Sequence, residues 1–256
     1  VQTCALPICR HLARMDLPTG AVNLVMGGRV LGDHLVRNDV FRKVSFTGSS
    51  ASGLAVAQLC AQRFARVTLE LGGKSSAILL DDVDFTAVKD QLWLAMLQNN
   101  GQVCGAQSRV LIPKSRAPEL RSALSEMFEE TVVGDPRSSE TGIGPVVTAE
   151  AANRIRNTCN EATSQGALLL SRSREEPRES ATVPPRLYEV HDSVAEIWNE
   201  ELFGPVACLR VYETEDEAVG WANQSRYGLS GSVWSSNKNR ALRAAQRLET
   251  GTVAVN

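Results

Sequence analysis

The chain has 256 residues, 43% apolar and 22% charged, enough to build a globular protein with a sizeable core. Lys and Arg number 27 against 29 Asp and Glu, so no broad positive field invites nucleic acid or an anionic membrane surface. No apolar run approaches the ~20 residues that cross a bilayer, and three dispersed histidines with six scattered cysteines suggest no metal site.

Residues 1–8 lack the basic start and long apolar core of a signal peptide. They resemble the translation of a sequencing adapter and are expected to be a non-native leader. From Cys9 to Leu71 short strands alternate with helices, as βαβ units do. Ala21–Met26 reads as a strand ended by Gly27-Gly28, and Lys43–Phe46 reads as the next. Thr47-Gly48-Ser49-Ser50 then opens a helix to Gln62, expected to be buried over a wide face through Leu54, Ala57, Ala61 and Phe64. Arg66–Leu71 is a strand stopped by Gly72-Gly73. Ser75–Leu80 reads as a buried strand, and Asp84 as the N-cap of a helix with Phe85, Val88, Leu92 and Ala95 on one face. That helix should end near Asn99-Asn100-Gly101, leaving Cys104 on the loop before strand Arg109–Ile112. The Ser/Arg/Glu/Pro-rich stretch from Ser171 to Pro185 is expected to be a surface connection. The chain stops in an apolar, strand-like run, Val253-Ala254-Val255-Asn256, so both ends look cut.

Four places could carry chemistry. Gly48-Ser49-x-x-x-Gly53 at a strand-to-helix turn offers free amides to a phosphate, though many such turns bind nothing. Glu70, at the end of an apolar strand, would become a useful general base if partly desolvated, or it pairs with Lys74. Cys104, between Gly101 and Gly105, is a candidate nucleophile, whereas Cys4, Cys9, Cys60, Cys159 and Cys208 read as small buried hydrophobes. No histidine stands in a site-like context, which excludes a Cys-His hydrolase. In Asn199-Glu200-Glu201-Leu202-Phe203-Gly204-Pro205 the acids are either a solvated turn or present a carboxylate and a ring to a ligand. Unpaired thiols suit a reducing, cytoplasmic compartment.

Phe46-Thr47-Gly48-Ser49, Leu69-Glu70-Leu71-Gly72-Gly73-Lys74, Gly101-Gln102-x-Cys104 and Glu201-x-Phe203-Gly204-Pro205, in this order and spacing, resemble the aldehyde dehydrogenase superfamily from about Cys9 to Asn256. The resemblance implies an incomplete α/β fold. Its parts are the C-terminal portion of a Rossmann-like NAD(P)-binding domain, 9–71, and a catalytic domain, 72–256. It implies that Cys104 attacks the aldehyde and that Glu70 activates the water that hydrolyses the resulting thioester. Because CoA-acylating relatives usually lack this base, hydrolysis is favoured. Gly48, Ser49, Gly53, Leu71, Gly72, Glu201 and Phe203 would bind NAD or NADP, with Glu201 on the nicotinamide ribose. The family's oxyanion Asn, its adenosine-ribose Lys and its subunit-joining arm fall outside these residues. The partner implied is a small aldehyde, and the parent enzyme would be a homodimer or homotetramer. The alternative is a non-catalytic homologue that acts as a binding or structural protein.

Overall fold

The computed structural model describes residues 2–172, 181–191 and 196–256, which divide after Glu70 into two units. The first holds α1 (Gln2–Leu12), α2 (Arg29–Arg37), β1 (Lys43–Gly48), α3 (Ser50–Gln62) and β2 (Arg66–Leu71), the last running one residue past the division. Strands β1 and β2 pair, and α3 packs on α2 and β1. Ser49 starts α3 as expected, its side chain accepting from the Ser52 N–H at 3.3 Å.

Two expectations fail in this unit. Ala21–Met26 forms no strand, and Val22, Leu24, Val25 and Met26 are exposed. An apolar run becomes a strand only when a neighbour takes up its amides, and no described strand lies beside it. Helix α3 buries only Gly53 and Cys60, while Leu54 is 61% exposed. One helix and a two-stranded sheet cannot cover a helix that is apolar over a wide arc.

The second unit contains β3 (Ser76–Leu79), α4 (Phe85–Leu97), β4 (Arg109–Pro113), α5 (Ala117–Glu129), α6 (Ala149–Ser164) and β5 (Leu168–Arg172). It continues with β6 (Arg186–Glu189), α7 (Glu196–Asn199), β7 (Val206–Tyr212), α8 (Glu215–Asn223), β8 (Ser230–Trp234), α9 (Lys238–Ala245) and β9 (Thr252–Val255). Among the described residues the strands form one sheet in the order β5-β6-β7-β4-β3-β8-β9. Every pair is parallel except β5-β6.

The period of two along a strand sends alternate side chains to two cores. Ala77, Leu79, Val110, Ile112, Ala207 and Leu209 face α4 and α5, where Leu92, Met96, Leu120 and Phe128 meet them. Ile78, Leu111 and Cys208 face the other way, toward Ile155 of α6, Ala218 of α8 and Ala241 of α9. Burial on both faces explains why β3 and β4 read as continuous apolar runs. Asp84 caps α4 by accepting from the Ala87 N–H at 3.3 Å. In the Ser171–Pro185 connection, Ser171 and the stretch from Thr182 to Pro185 are buried, contrary to the surface reading, because they lead into and out of the paired β5 and β6. Residues 173–180 of that connection, like Val1, lie outside the described residues.

Candidate active site

Because β7, β4, β3 and β8 are adjacent and mutually parallel, the segments that lead into them all arrive at one edge of the sheet. Those segments carry Gly72–Ser75, Gln98–Ser108, Glu200–Pro205 and the approach to Ser230. Two of the four candidate places, those of Cys104 and Glu201, therefore meet with Gly72-Gly73-Lys74 at the N-terminal ends of these strands.

Gly73 packs so closely on the Cys104 carbonyl that a Cβ there would lie 2.6 Å from its oxygen. On the far side of Cys104, the Ser230 hydroxyl donates to the Gly105 carbonyl at 3.3 Å and lies 2.8 Å from the Ser75 hydroxyl. The loop before the cysteine is pinned equally well. Asn99 and Asn100 adopt left-handed φ values of 52° and 59°. Asn100 donates to the Pro145 carbonyl at 3.0 Å and accepts from the Gly144 N–H at 2.8 Å, while Gln102 accepts from the Val147 N–H at 2.8 Å. On this fixed loop Cys104 is exposed, and its amide has no acceptor among the described residues. Cys60, Cys159 and Cys208 are buried as expected; Cys9 is only half-buried, because the first unit offers little to cover it, and the side chain of Cys4 lies outside the described residues.

Glu201 is held against the two glycines. Its carboxylate accepts from the Gly73 N–H at 3.4 Å, and a Cβ on Gly72 would come within 1.9 Å of Oε2. Burial raises its pKa above the ordinary glutamate value, opposed by the Gly73 amide and the charges of Lys74 and Arg154. Gly72→Ala is therefore expected to expel the carboxylate and cost about 1.5–3 kcal/mol, the value of a hydrogen bond to a charged group. Urea unfolding of G72A, E201A and the double variant checks this: the cost of G72A should vanish when Glu201 is already alanine. Two residues on, Phe203 has a φ of 53°, rare for so bulky a side chain, and leaves its ring 40% exposed.

Arg109, at the start of β4, was singled out only as a strand residue, but it ties the region together. It is 2% exposed, donates to the Lys74 carbonyl at 2.8 Å and to the Trp221 and Ala222 carbonyls at the end of α8, and lies over the Trp198 ring. Desolvation brings its pKa down to about 10. A buried arginine needs acceptors, and these carbonyls supply them; nothing in the sequence around Arg109 signals so distant a set of partners.

The remaining candidates belong to the first unit. Glu70 is exposed at the end of β2, and Lys74 is buried. Gly48 and Ser49 lie at the turn into α3, and Gly53 is buried inside it. Between α2, β1 and α3 is a cavity of about 600 Å³ lined by Arg29, Asp33, Phe46, Ser52, Val56 and Leu59. Sequence reading missed most of this lining, since Arg29 and Asp33 come from α2, whose apolar spacing drew no attention.

Comparison with known proteins is consistent across sequence and structure. The aldehyde dehydrogenase family profile matches residues 1–256. Geranial dehydrogenase of Castellaniella defragrans is 39% identical over 244 residues, 95% of this chain and 51% of the relative. The chloroplastic betaine aldehyde dehydrogenase of Atriplex hortensis is 36% identical over 245 residues, 94% of this chain and 49% of the relative. Among solved structures, a Mycobacterium tuberculosis aldehyde dehydrogenase complexed with NAD+ superimposes with a TM-score of 0.95 at 34% identity, covering 99% of this chain and 53% of its own. A mutant of aldehyde dehydrogenase C from Pseudomonas syringae, complexed with NAD+ and octanal, gives 0.93 at 34% identity, with 98% and 53% covered. The chain thus spans about half the length of the relatives it matches.

Proposed function

Because the chain belongs to the aldehyde dehydrogenase family, we propose that it carries the nucleophile, the hydrolytic base and part of the cofactor site of an enzyme that oxidises an aldehyde to a carboxylic acid with NAD or NADP. The observation that supports this most is an exposed cysteine on a rigid loop beside a half-buried carboxylate and an exposed ring. Residues 9–71 are read as the end of the cofactor-binding domain and 72–256 as the catalytic domain.

Cys104 as thiolate attacks the aldehyde carbon. The resulting thiohemiacetal oxyanion accepts a hydrogen bond from the Cys104 amide, which has no other acceptor among the described residues. Bound NAD(P)+ supplies the hydride acceptor. Oxidation leaves a thioester on Cys104, and Glu70 takes a proton from the water that attacks it, which frees the acid and regenerates the thiol. Exposure keeps Glu70 available to water.

Each unit carries residues suited to part of a dinucleotide. Glu201 has carboxylate lone pairs left for ribose hydroxyls, and Gly72, lacking a side chain, gives that carboxylate its seat. Leu71 precedes those glycines, and Phe203 offers a ring face for the nicotinamide. At the start of α3, Gly48 and Ser49 present amides suited to a pyrophosphate, Gly53 permits close packing, and the cavity beside them has room for an adenosine.

A reducing, cytoplasmic setting and a homodimeric or homotetrameric parent complete the proposal. The first rests on the thiols alone; no helix of the described residues is long and apolar enough to cross a membrane. Purified by themselves, the 256 residues are expected to form no NADH from aldehyde, since the family's second oxyanion donor is not among them. Losing one such donor costs roughly a hundred- to a thousandfold. Rapid-quench mass spectrometry of a chain extended to the length of its relatives, mixed with aldehyde and NAD+, should find the acyl group on Cys104; an acyl group elsewhere sinks the reading, whereas robust turnover by the 256 residues alone would overturn only their expected inactivity.

A further inference from the structure

Lys74 follows Gly72-Gly73 and is 2% exposed, yet its Nζ has no hydrogen-bond partner among the described residues. Its backbone is fixed, because Arg109 donates to its carbonyl at 2.8 Å. A buried, unpaired ammonium is expensive unless a charge nearby compensates it.

The charged and titratable groups that interact with Lys74 are Cys208 from β7, Arg109 from β4, Glu201 and Glu200 from the segment before β7, and Cys159 of α6, a buried thiol whose pKa burial raises. Arg109 has the wrong sign, and the Cys208 thiol, pushed up to about 11 by burial, is neutral at ordinary pH. Glu200 is already paired with Arg226 at 2.6 Å. Glu201 forms no ion pair among the described residues, and its side chain is bonded only to the Gly73 amide next to Lys74. Lys74 and Glu201 are thus opposite charges joined to the same Gly73-Lys74 backbone, and Arg154 is the other cation that acts on Glu201.

We propose that Lys74 is a positioning residue for Glu201: a buried cation whose field keeps the Glu201 carboxylate ionised and seated at Gly73, ready to accept the cofactor ribose hydroxyls. This rests on the reading of Glu201 given above. The two effects on Glu201 have opposite signs. Burial raises its pKa, whereas the Gly73 amide, Lys74 and Arg154 lower it. On acidification the carboxylate is lost as pH falls through this raised value, and without Lys74 that loss must begin at higher pH. Reciprocally, the carboxylate opposes the burial that depresses the Lys74 ammonium.

The test needs no cofactor. In the 256-residue chain carrying 13C-carboxyl glutamate, Lys74→Met should raise the NMR titration midpoint of Glu201. In the same chain carrying 15Nζ lysine, Glu201→Gln should lower the midpoint of Lys74. Met keeps the length and apolar stem of Lys, so K74M should fold at least as stably as the parent. A residue with only a packing role would change stability and leave both midpoints still. If either midpoint fails to move in a folded variant, the coupling is overturned and the ribose role of Glu201 survives. Undiminished NAD+ affinity of E201Q in the extended chain would instead overturn the ribose role alone.

Discussion

Cys104→Ser, in a chain extended to the length of its relatives, is expected to reduce aldehyde oxidation by roughly 10⁴-fold or more, the scale on which nucleophile removal acts. A thiol yields a usable fraction of thiolate at neutral pH, whereas a serine hydroxyl needs an adjacent base. No histidine lies in the motifs around this loop to provide one. Cys104 is exposed and its amide makes no described hydrogen bond, so the exchange should leave stability within about 0.5 kcal/mol, as surface substitutions do. Steady-state turnover and urea unfolding of the same preparation separate the two effects. Loss of activity accompanied by unfolding would remove Cys104 from its role.

Gly101→Ala should be the most damaging single-methyl substitution near the site. Gly101 has a φ of 69°, and a Cβ there would meet the Gly204 carbonyl oxygen at 2.2 Å. Both atoms belong to backbones that carry functional groups, one leading to Cys104 and the other following Phe203. The methyl must push these loops apart, at an expected cost on the order of 3 kcal/mol from strain and clash together. Gly166 provides the control, since its φ is 91° but nothing lies within 4 Å of its Cβ position. Gly166→Ala should show the left-handed strain alone, about 1 kcal/mol. Equal urea midpoints for the two variants would mean that the contact between the loops contributes nothing.

Local signals were legible wherever a short segment settles its own structure. Ser49 and Asp84 cap their helices as their residue types require, and Asn99-Asn100-Gly101 ends one with three left-handed residues in a row. The buried strands β3 and β4 were readable because two-sided burial leaves no polar alternation. Reading failed where burial depended on what the rest of the fold supplies. Leu54 and the run Ala21–Met26 have the composition of interior residues, but the described elements provide no surface to cover them. Val183 sits in a stretch rich in loop formers and is nevertheless fully buried, because the pairing of β5 with β6 draws it inward.

For the candidate site the division is sharper. The sequence by itself determined which residue types stand at which spacing, and hence the family, and it is on that spacing that the proposed nucleophile, base and cofactor carboxylate rest. Those assignments depend on order along the chain, which the amino acids record directly. Only the tertiary structure decided that Cys104, Gly73, Glu201 and Phe203 share one edge, because only the parallel pairing of β7, β4, β3 and β8 brings their preceding loops to the same side. It alone showed that Lys74 is buried and that Glu70 is exposed. Burial and electrostatic partnership are properties of neighbours in space, and residues 128 positions apart become neighbours only once the sheet has formed.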